Sequence, residues 1–185
     1  MFDGLFKKRR VKRVAFELYT SAVDQARLPV FYNNLGVPDT LEGRFDMISL
    51  HVFLILRRLK REREGGQDLS QAIFDAMFAD MDRNFREMGV GDFGVGNQVK
   101  KLARKFYGRI AAYDEGLEGD DTVLTAALSR NVYGAIEPSP EDISRLASYF
   151  RGQAAFVEKQ TLGTLETGEA SFTKPDFEAV GGSHD

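Results

Sequence analysis

The chain has no cysteine and only two histidines, His51 and His184. The lack of cysteine excludes disulfides, thiolate metal sites and cysteine nucleophiles. Because His184 lies in a terminal tail, histidine-based metal or acid–base chemistry is poorly supplied. A long apolar run is also missing. In the most hydrophobic stretch the unbroken apolar run extends only from Val52 to Leu56, far short of the roughly 20 residues that span a membrane.

What the chain does contain is typical of a globular protein. Its 185 residues suit one domain with ragged ends, and 43% are apolar and 29% charged. The net charge of −3 hides an asymmetry: residues 1–65 carry 13 basic against 8 acidic side chains, and residues 66–185 carry 12 against 20. A basic front and an acidic back indicate an oriented partner surface rather than general nucleic-acid binding, and no DNA partner is expected.

The stretch FDMISLHVFLILRRL, residues 45–59, is apolar on every side when it is drawn as a helix. Such a helix must be enclosed by other elements. The sequence therefore predicts an all-α fold, a single bundle of about six helices around a central helix over residues 45–62. Residues 1–39 are predicted to form a basic N-terminal helix and connector, residues 40–162 the helical domain, and residues 163–185 a flexible tail.

Helix signals divide the rest of the domain. Pro29 is expected to end or kink the first helix. Asp68 and Gln71 have capping-box spacing at the start of a second long helix, and a third follows from Val99. Asp120 is predicted to cap a shorter helix, and Ser139 with Pro140 the last one, which continues to about residue 162.

Two groups of basic residues lie on predicted helices. The simpler interpretation of both is a solvated helix face, and the sharper one is contact with anionic lipid headgroups or ribosomal RNA. Near a lipid surface each basic residue contributes about 1 kcal/mol. The docking candidates are Lys7, Lys8, Arg9, Arg10, Lys12 and Arg13 in the first group, and Lys101, Arg104, Lys105 and Arg109 in the second.

Large apolar side chains cover an arc of roughly 140° on the second long helix, which is wider than the surface that one neighbouring helix is expected to cover. Methionine recurs on surfaces that accept varied apolar partners. One interpretation places the whole arc in the core; the other leaves its margins, Phe78, Phe85 and Met88, as a partly exposed patch. The arc comprises Ile73, Phe74, Met77, Phe78, Met81, Phe85 and Met88.

Residues 89–96 are predicted to be a glycine-spaced loop in which Gly89, Gly91 and Gly94 match G-x-G-x-x-G. A nucleotide site is not expected, because the motif requires a strand before it and here a helix precedes it. The simpler interpretation is a tight helix connection with Phe93 against the bundle. The functional interpretation is a loop close to a bound partner.

Acidic residues raise one enzymatic alternative, a Mg²⁺-dependent prenyl-transfer-like or quinone-pathway activity. Such an enzyme needs acids that face each other across a cavity. Asp75 and Asp82 lie on the polar side of their helix, which favours a solvated face, and His51 is interpreted as a hydrogen-bonded core residue. No catalytic residue, metal site or cofactor is predicted. The aspartates considered are Asp75, Asp80, Asp82, Asp120 and Asp121.

The stretches LHVFLILRRLK and QAIFDAMFADMDRNFREMGVGDFGVGNQVKKLARKFYGRIAAY resemble the ubiquinol–cytochrome c chaperone family, assembly factors of the respiratory cytochrome bc complex. The resemblance covers roughly residues 40 to 135. It implies a non-enzymatic chaperone that binds newly made cytochrome b, with a ribosome or an anionic membrane surface as further partners. The short chain without a convincing presequence indicates a bacterial member, cytoplasmic and peripheral on the inner membrane face.

Within that resemblance, the residues themselves suggest where a client binds. The client-binding hypothesis names Phe78, Phe85, Met88 and Phe93, and the basic groups are expected to dock the complex. A scaffold that binds only protein partners and never the nascent client is the remaining alternative.

Overall fold

The computed structural model describes residues 2–62 and 65–177, with the side chains of residues 2–5 left out. These residues contain no strand, and the all-α prediction is confirmed. Six α-helices have eight residues or more and two have five. The helices are α1 Phe2–Ala26, α2 Pro29–Asn33, α3 Leu41–Leu59, α4 Gly66–Glu87, α5 Asp92–Glu118, α6 Asp121–Leu128, a π-helix Ser129–Tyr133, α7 Pro140–Glu158 and α8 Leu162–Glu166.

Helix α3 is the centre of the bundle, as the sequence predicts. Every residue from Phe45 to Ile55 is buried, and α1, α4, α5, α7 and the π-helix all contact this helix. It begins at Leu41, before the predicted residue 45, because the Thr40 hydroxyl caps it by accepting the Gly43 N–H at 3.1 Å. The side-chain-free Gly43 lets the turn approach Pro38 closely: a Cβ there would lie 1.9 Å from the Pro38 carbonyl oxygen.

The connection between α4 and α5 is shorter than predicted. Helix α5 begins at Asp92, so Gly94 and Gly96 belong to its first turns, and the predicted loop over 89–96 is wrong beyond Gly91. Gly89 alone of these glycines has a left-handed conformation, with φ 83°. The acidic Asp92 favours an early start because it lies at the positive end of the helix dipole.

Three of the predicted caps can be compared with the structure. Asp120 caps α6 by accepting the N–H groups of Thr122 and Val123 at 2.9 and 3.1 Å. Ser139 caps α7 by accepting the Asp142 N–H at 3.1 Å. Asp68 caps nothing, since α4 begins at Gly66 and places Asp68 inside the first turn.

The segment after α7 is ordered where the structure describes it, so the predicted disorder is wrong for residues 163–177. Leu165 and Phe177 are buried, and the Thr173 backbone is held by Gln153, whose side chain is 1% exposed. Gln153 donates Nε2–H to the Thr173 carbonyl at 3.0 Å and accepts the Thr173 N–H at 3.0 Å. Residues 178–185 of the predicted tail lie outside the described residues.

Candidate functional site

A chain of hydrogen bonds runs through the centre of the bundle and includes His51. The Gln25 side-chain amide donates to the Tyr149 hydroxyl at 2.9 Å, and this hydroxyl lies 2.8 Å from His51 Nε2. His51 Nδ1 lies 2.8 Å from the Met47 carbonyl, so Nδ1 carries the proton and Nε2 accepts from Tyr149. Burial lowers the pKa of His51 to about 4. His51 is therefore a neutral, satisfied core residue, as predicted.

Two members of the predicted client-binding set are in the core. Phe78 and Phe85 are each 8% exposed, so the expected exposure of these two rings is wrong. The ring of Phe78 lies 6.1 Å from that of Phe106 on α5. Helix α4 has a second packing neighbour in α1, and the Tyr19 hydroxyl on α1 donates to Asp80 at 2.8 Å.

Two other members of the set face solvent. Met88, just after α4, is 55% exposed, and Phe93, in the first turn of α5, is 95% exposed. The alternative in which Phe93 packs against the bundle is therefore wrong. An almost fully exposed phenylalanine on a helix marks an interaction surface when other exposed apolar groups lie beside it.

An apolar groove lies between α3, α4 and α5 and encloses about 510 Å³. Phe74 and Tyr107 form part of its wall, with ring centroids 5.3 Å apart, and Tyr107 is 59% exposed. Leu56 and Ile110 add aliphatic surface. The charged residues of this groove are Arg57, Lys60, Glu62 and Asp114.

Sequence reasoning missed Tyr107. It follows the inward-facing Phe106 and lies one helical step of 100° away from that residue. The signal was available, because Phe93, Lys100 and Tyr107 follow each other at seven-residue steps and so share one side of α5. All three are exposed.

The basic cluster of α1 is exposed, as predicted, and it contains aromatic residues as well. Phe6 is 66% and Phe16 53% exposed. Phe6 and Arg13, and Arg9 and Phe16, are each seven residues apart, so these four side chains lie on one outward side of the helix. The remaining basic residues of the cluster, Lys7, Lys8, Arg10 and Lys12, are exposed too.

The basic group on α5 divides into two parts. Lys101 and Arg104 are exposed, whereas Lys105 pairs with Glu42 at 3.2 Å. Arg109 is only 6% exposed and forms an ion pair with Asp46, while its guanidinium carbon lies 5.3 Å from the Phe45 ring centroid. The docking role predicted for Arg109 is therefore wrong, because its charge is committed inside the protein.

The aspartates of the enzymatic alternative are dispersed over the surface and have local partners. Asp80 pairs with Arg83 at 3.3 Å, Asp82 with Arg86 at 2.6 Å, and Asp121 with Arg151 at 2.9 Å. Asp120 is occupied as a helix cap, and Asp75 accepts from Gln71 at 2.8 Å. Within residues 2–62 and 65–177, no three carboxylate or histidine side chains are grouped as a metal ion would require.

The length and hydrophobicity of the described helices test whether any of them could span a membrane. None of those within the described ranges is both long and apolar enough to cross a bilayer. The features that remain are a groove, exposed aromatic side chains and basic helix faces. They define a helical protein that presents an apolar groove and basic faces as candidate binding surfaces.

The chain belongs to the ubiquinol-cytochrome C chaperone family, whose profile matches residues 33–172. It is 31% identical over 153 residues to ubiquinol-cytochrome-c reductase complex assembly factor 1 of Xenopus laevis, covering 83% of this chain and 76% of that protein. Against the human protein of the same name it is 30% identical over 168 residues, or 90% of this chain and 56% of the human one. The resemblance inferred from the sequence is thereby confirmed.

A solved structure agrees with the fold. The crystal structure of the Cbp3 homolog from Brucella abortus matches with a TM-score of 0.80 and 37% identity, over 94% of this chain and 97% of that one. A relative named protein CBP3, mitochondrial, from Saccharomyces cerevisiae is 28% identical over 149 residues, which is 44% of its length. The chain thus spans between 44% and 76% of the length of these three curated relatives.

Proposed function

We propose that this protein is a non-enzymatic chaperone that supports assembly of ubiquinol–cytochrome c reductase by binding newly made cytochrome b. The observation that carries the proposal is the family match over residues 33–172, with relatives named as assembly factors of that complex. The dispersed, locally paired aspartates favour this function over the prenyl-transfer-like alternative.

The client-binding surface that we propose is the groove between α3, α4 and α5, continued along α5 to Phe93 and Met88. Tyr107 and Phe93 are separated by 14 residues of one helix, about 21 Å, a length comparable to several turns of a client helix. Unfinished membrane segments are apolar, and the exposed rings of Phe93 and Tyr107 with the walls of the groove offer them an apolar track. Phe78 and Phe85 support this surface from within.

The experiment that tests this surface is site-specific photo-crosslinking during synthesis of cytochrome b. A photoreactive phenylalanine analogue replaces Phe93 or Tyr107, and in a control it replaces Ile136, which is also exposed at 54% but lies after the π-helix. We expect cytochrome b adducts from positions 93 and 107 and a much lower yield from position 136. Equal yields from all three positions contradict the surface, and adducts with other proteins alone support the scaffold alternative.

The docking surface that we propose is the outward side of α1, directed at the anionic inner face of the membrane. Residues 1–39 then dock the molecule while residues 40–162 hold the client. Phe6 and Phe16 favour lipid over ribosomal RNA, because aromatic side chains beside basic ones are typical of helices that lie in a membrane interface. Lys101 and Arg104 on α5 add exposed positive charge.

A further inference from the structure

A second cavity lies between α3, α5 and the π-helix and encloses about 440 Å³. Four basic side chains line it against two acidic ones. The cavity therefore holds an excess of two positive charges even when both carboxyl groups are ionised. The charged lining residues are Arg104, Lys105, Arg109, Arg130, Glu42 and Asp46.

Arg109 is the innermost of these cations and is incompletely satisfied. It is 6% exposed and pairs with Asp46 through Nη2, while Nε and Nη1 have no hydrogen-bond partner among the described residues. The Tyr113 hydroxyl is likewise buried without a hydrogen-bond partner within residues 2–62 and 65–177. A buried group of polar atoms with unused hydrogen-bonding capacity is costly and calls for a compensating role.

The wall opposite α5 is built from unusual backbone. The π-helix contributes Arg130 and Asn131, and Gly134 follows it with φ 62°. Single π-helical turns are rare and occur frequently at functional sites. On α5 the lining residues between the cations are small, Gly108 and Ala112, and this keeps the space open.

We propose that this cavity is a binding site for a phosphate group or a chemically equivalent dianion, contacted by Arg104, Lys105 and Arg130 above the buried charge of Arg109. Guanidinium groups present paired N–H donors that suit phosphate oxygens. A dianion matches the excess charge of the lining. The site does not depend on the proposed chaperone function.

Asp46 gives the site a pH dependence. Burial raises the pKa of this carboxyl to about 7, against the opposing charges of Arg109 and Lys105. The charged and titratable groups around it are Glu42 on α3, Lys105, Arg109 and Tyr113 on α5, and Arg130 on the π-helix. Protonation of Asp46 leaves the charge of Arg109 unneutralised, so the site binds anions more tightly as pH falls from about 8 to about 6.

The test is a titration of the full chain with sulfate at constant ionic strength, followed by amide NMR shifts. Sulfate is the probe because it remains a dianion over this pH range. We expect saturable binding that tightens at lower pH, and that weakens about tenfold in the double variant R104Q/R130Q, as when a charge-assisted contact is lost. The control variant K100Q/R83Q removes the same charge from exposed positions outside the cavity and should bind like the wild type.

The variant D46N mimics the protonated carboxyl, and we expect it to bind sulfate more tightly than the wild type at pH values near 8, with little remaining pH dependence. Non-saturable shifts, or equal weakening in R104Q/R130Q and the control, overturn the proposal. Vesicles of phosphatidylcholine with and without phosphatidic acid then identify the source of the phosphate. If R130Q alone, which keeps Arg104 and the basic faces of α1 and α5, loses vesicle binding relative to the wild type, the group is a lipid headgroup; if it binds vesicles normally, the group is a soluble phosphate compound.

Discussion

His51 illustrates how one buried polar side chain constrains both packing and pH response. Both of its ring nitrogens are occupied: Nδ1–H donates to the Met47 carbonyl in either charge state, whereas Nε2 accepts from the Tyr149 hydroxyl only when the ring is neutral. Protonation would force Nε2 to lose its acceptor role in a site that water cannot reach. The free-energy cost of protonating this ring therefore comes from the surrounding core, which excludes water, and not from a single contact.

The first prediction follows from the pKa of His51, which burial lowers from 6.5 to about 4. Between those values the unfolded chain binds the proton and the folded one does not, so stability is lost as pH falls through 6.5. We expect this residue to cost the wild type about 2 kcal/mol at pH values near 5 relative to neutral pH.

The measurement is urea unfolding of the wild type and of H51Q at several pH values. H51Q should be less stable than the wild type near neutral pH, since a buried hydrogen bond is disturbed. The stability difference should shrink as pH falls, because the glutamine does not titrate. Asp46 is present in both proteins, so its titration cancels in the comparison. A difference that is constant with pH would show that His51 does not carry the effect.

At the scale of elements, three glutamines bind the backbone of the segment after α7, and one of them, Gln25 on α1, donates to the Thr173 carbonyl at 2.9 Å. Gln153 exchanges two hydrogen bonds with Thr173, and Gln160 exchanges two with Ser171, at 2.7 and 2.9 Å. Phe177 then packs edge-to-face on Phe31 and Tyr149, with ring centroids 5.9 and 5.7 Å away. The segment thus closes the core above α2 and α7 without regular structure of its own.

Gln153 and Gln160 provide a matched pair of variants. Q153A should destabilise the protein by about 1–3 kcal/mol, because it removes the acceptor of the Thr173 N–H at a part-buried position, while the Thr173 carbonyl keeps its bond from Gln25. Q160A should cost less than about 1 kcal/mol, since its bonds are exposed and water replaces them. Denaturant unfolding gives the free energies, and amide hydrogen exchange at Thr173 reports the local release. Equal costs for the two variants would contradict this account of the segment.

The same elements show what sequence could and could not predict. The central helix and the caps at Asp120 and Ser139 were predictable, because full apolar coverage and capping side chains are local signals. The order of residues 163–177 was not, because small and polar residues there find partners on α1 and α7 that are distant in sequence. The exposure expected for Phe78 failed for a related reason: its ring packs against Phe106 on α5, and the apolar arc itself does not reveal that contact. Arg109 looked like one more cation on a basic face, since its partner Asp46 lies 63 positions earlier in the chain.

At the scale of the whole molecule, the basic front of the chain is an ordered surface of the bundle. Helix α1 packs with its inward side on α3 and α4, and Val14, Ala15 and Leu18 on that side are buried. The outward side is thereby held in a fixed orientation with its basic and aromatic residues exposed. Since the helix is already formed and packed, docking through it costs little folding entropy.

The last prediction concerns that outward side. The double variant F6S/F16S should weaken binding to vesicles that contain anionic lipid, and R9E/R13E should weaken it further and reduce its salt dependence, because each basic residue near the surface contributes about 1 kcal/mol. Co-sedimentation with phosphatidylglycerol vesicles at two salt concentrations measures both effects. R145E serves as the control, a charge reversal on α7 away from the outward side of α1, and should sediment like the wild type. All four substituted residues of α1 are exposed, so melting temperatures should stay near that of the wild type.

If F6S/F16S sediments normally while R9E/R13E does not, the contact is electrostatic alone, and the aromatic residues no longer favour lipid over RNA. Sedimentation of both variants at the wild-type level would mean that α1 does not dock the molecule, and the orientation of the client groove toward the membrane would then have to come from α5.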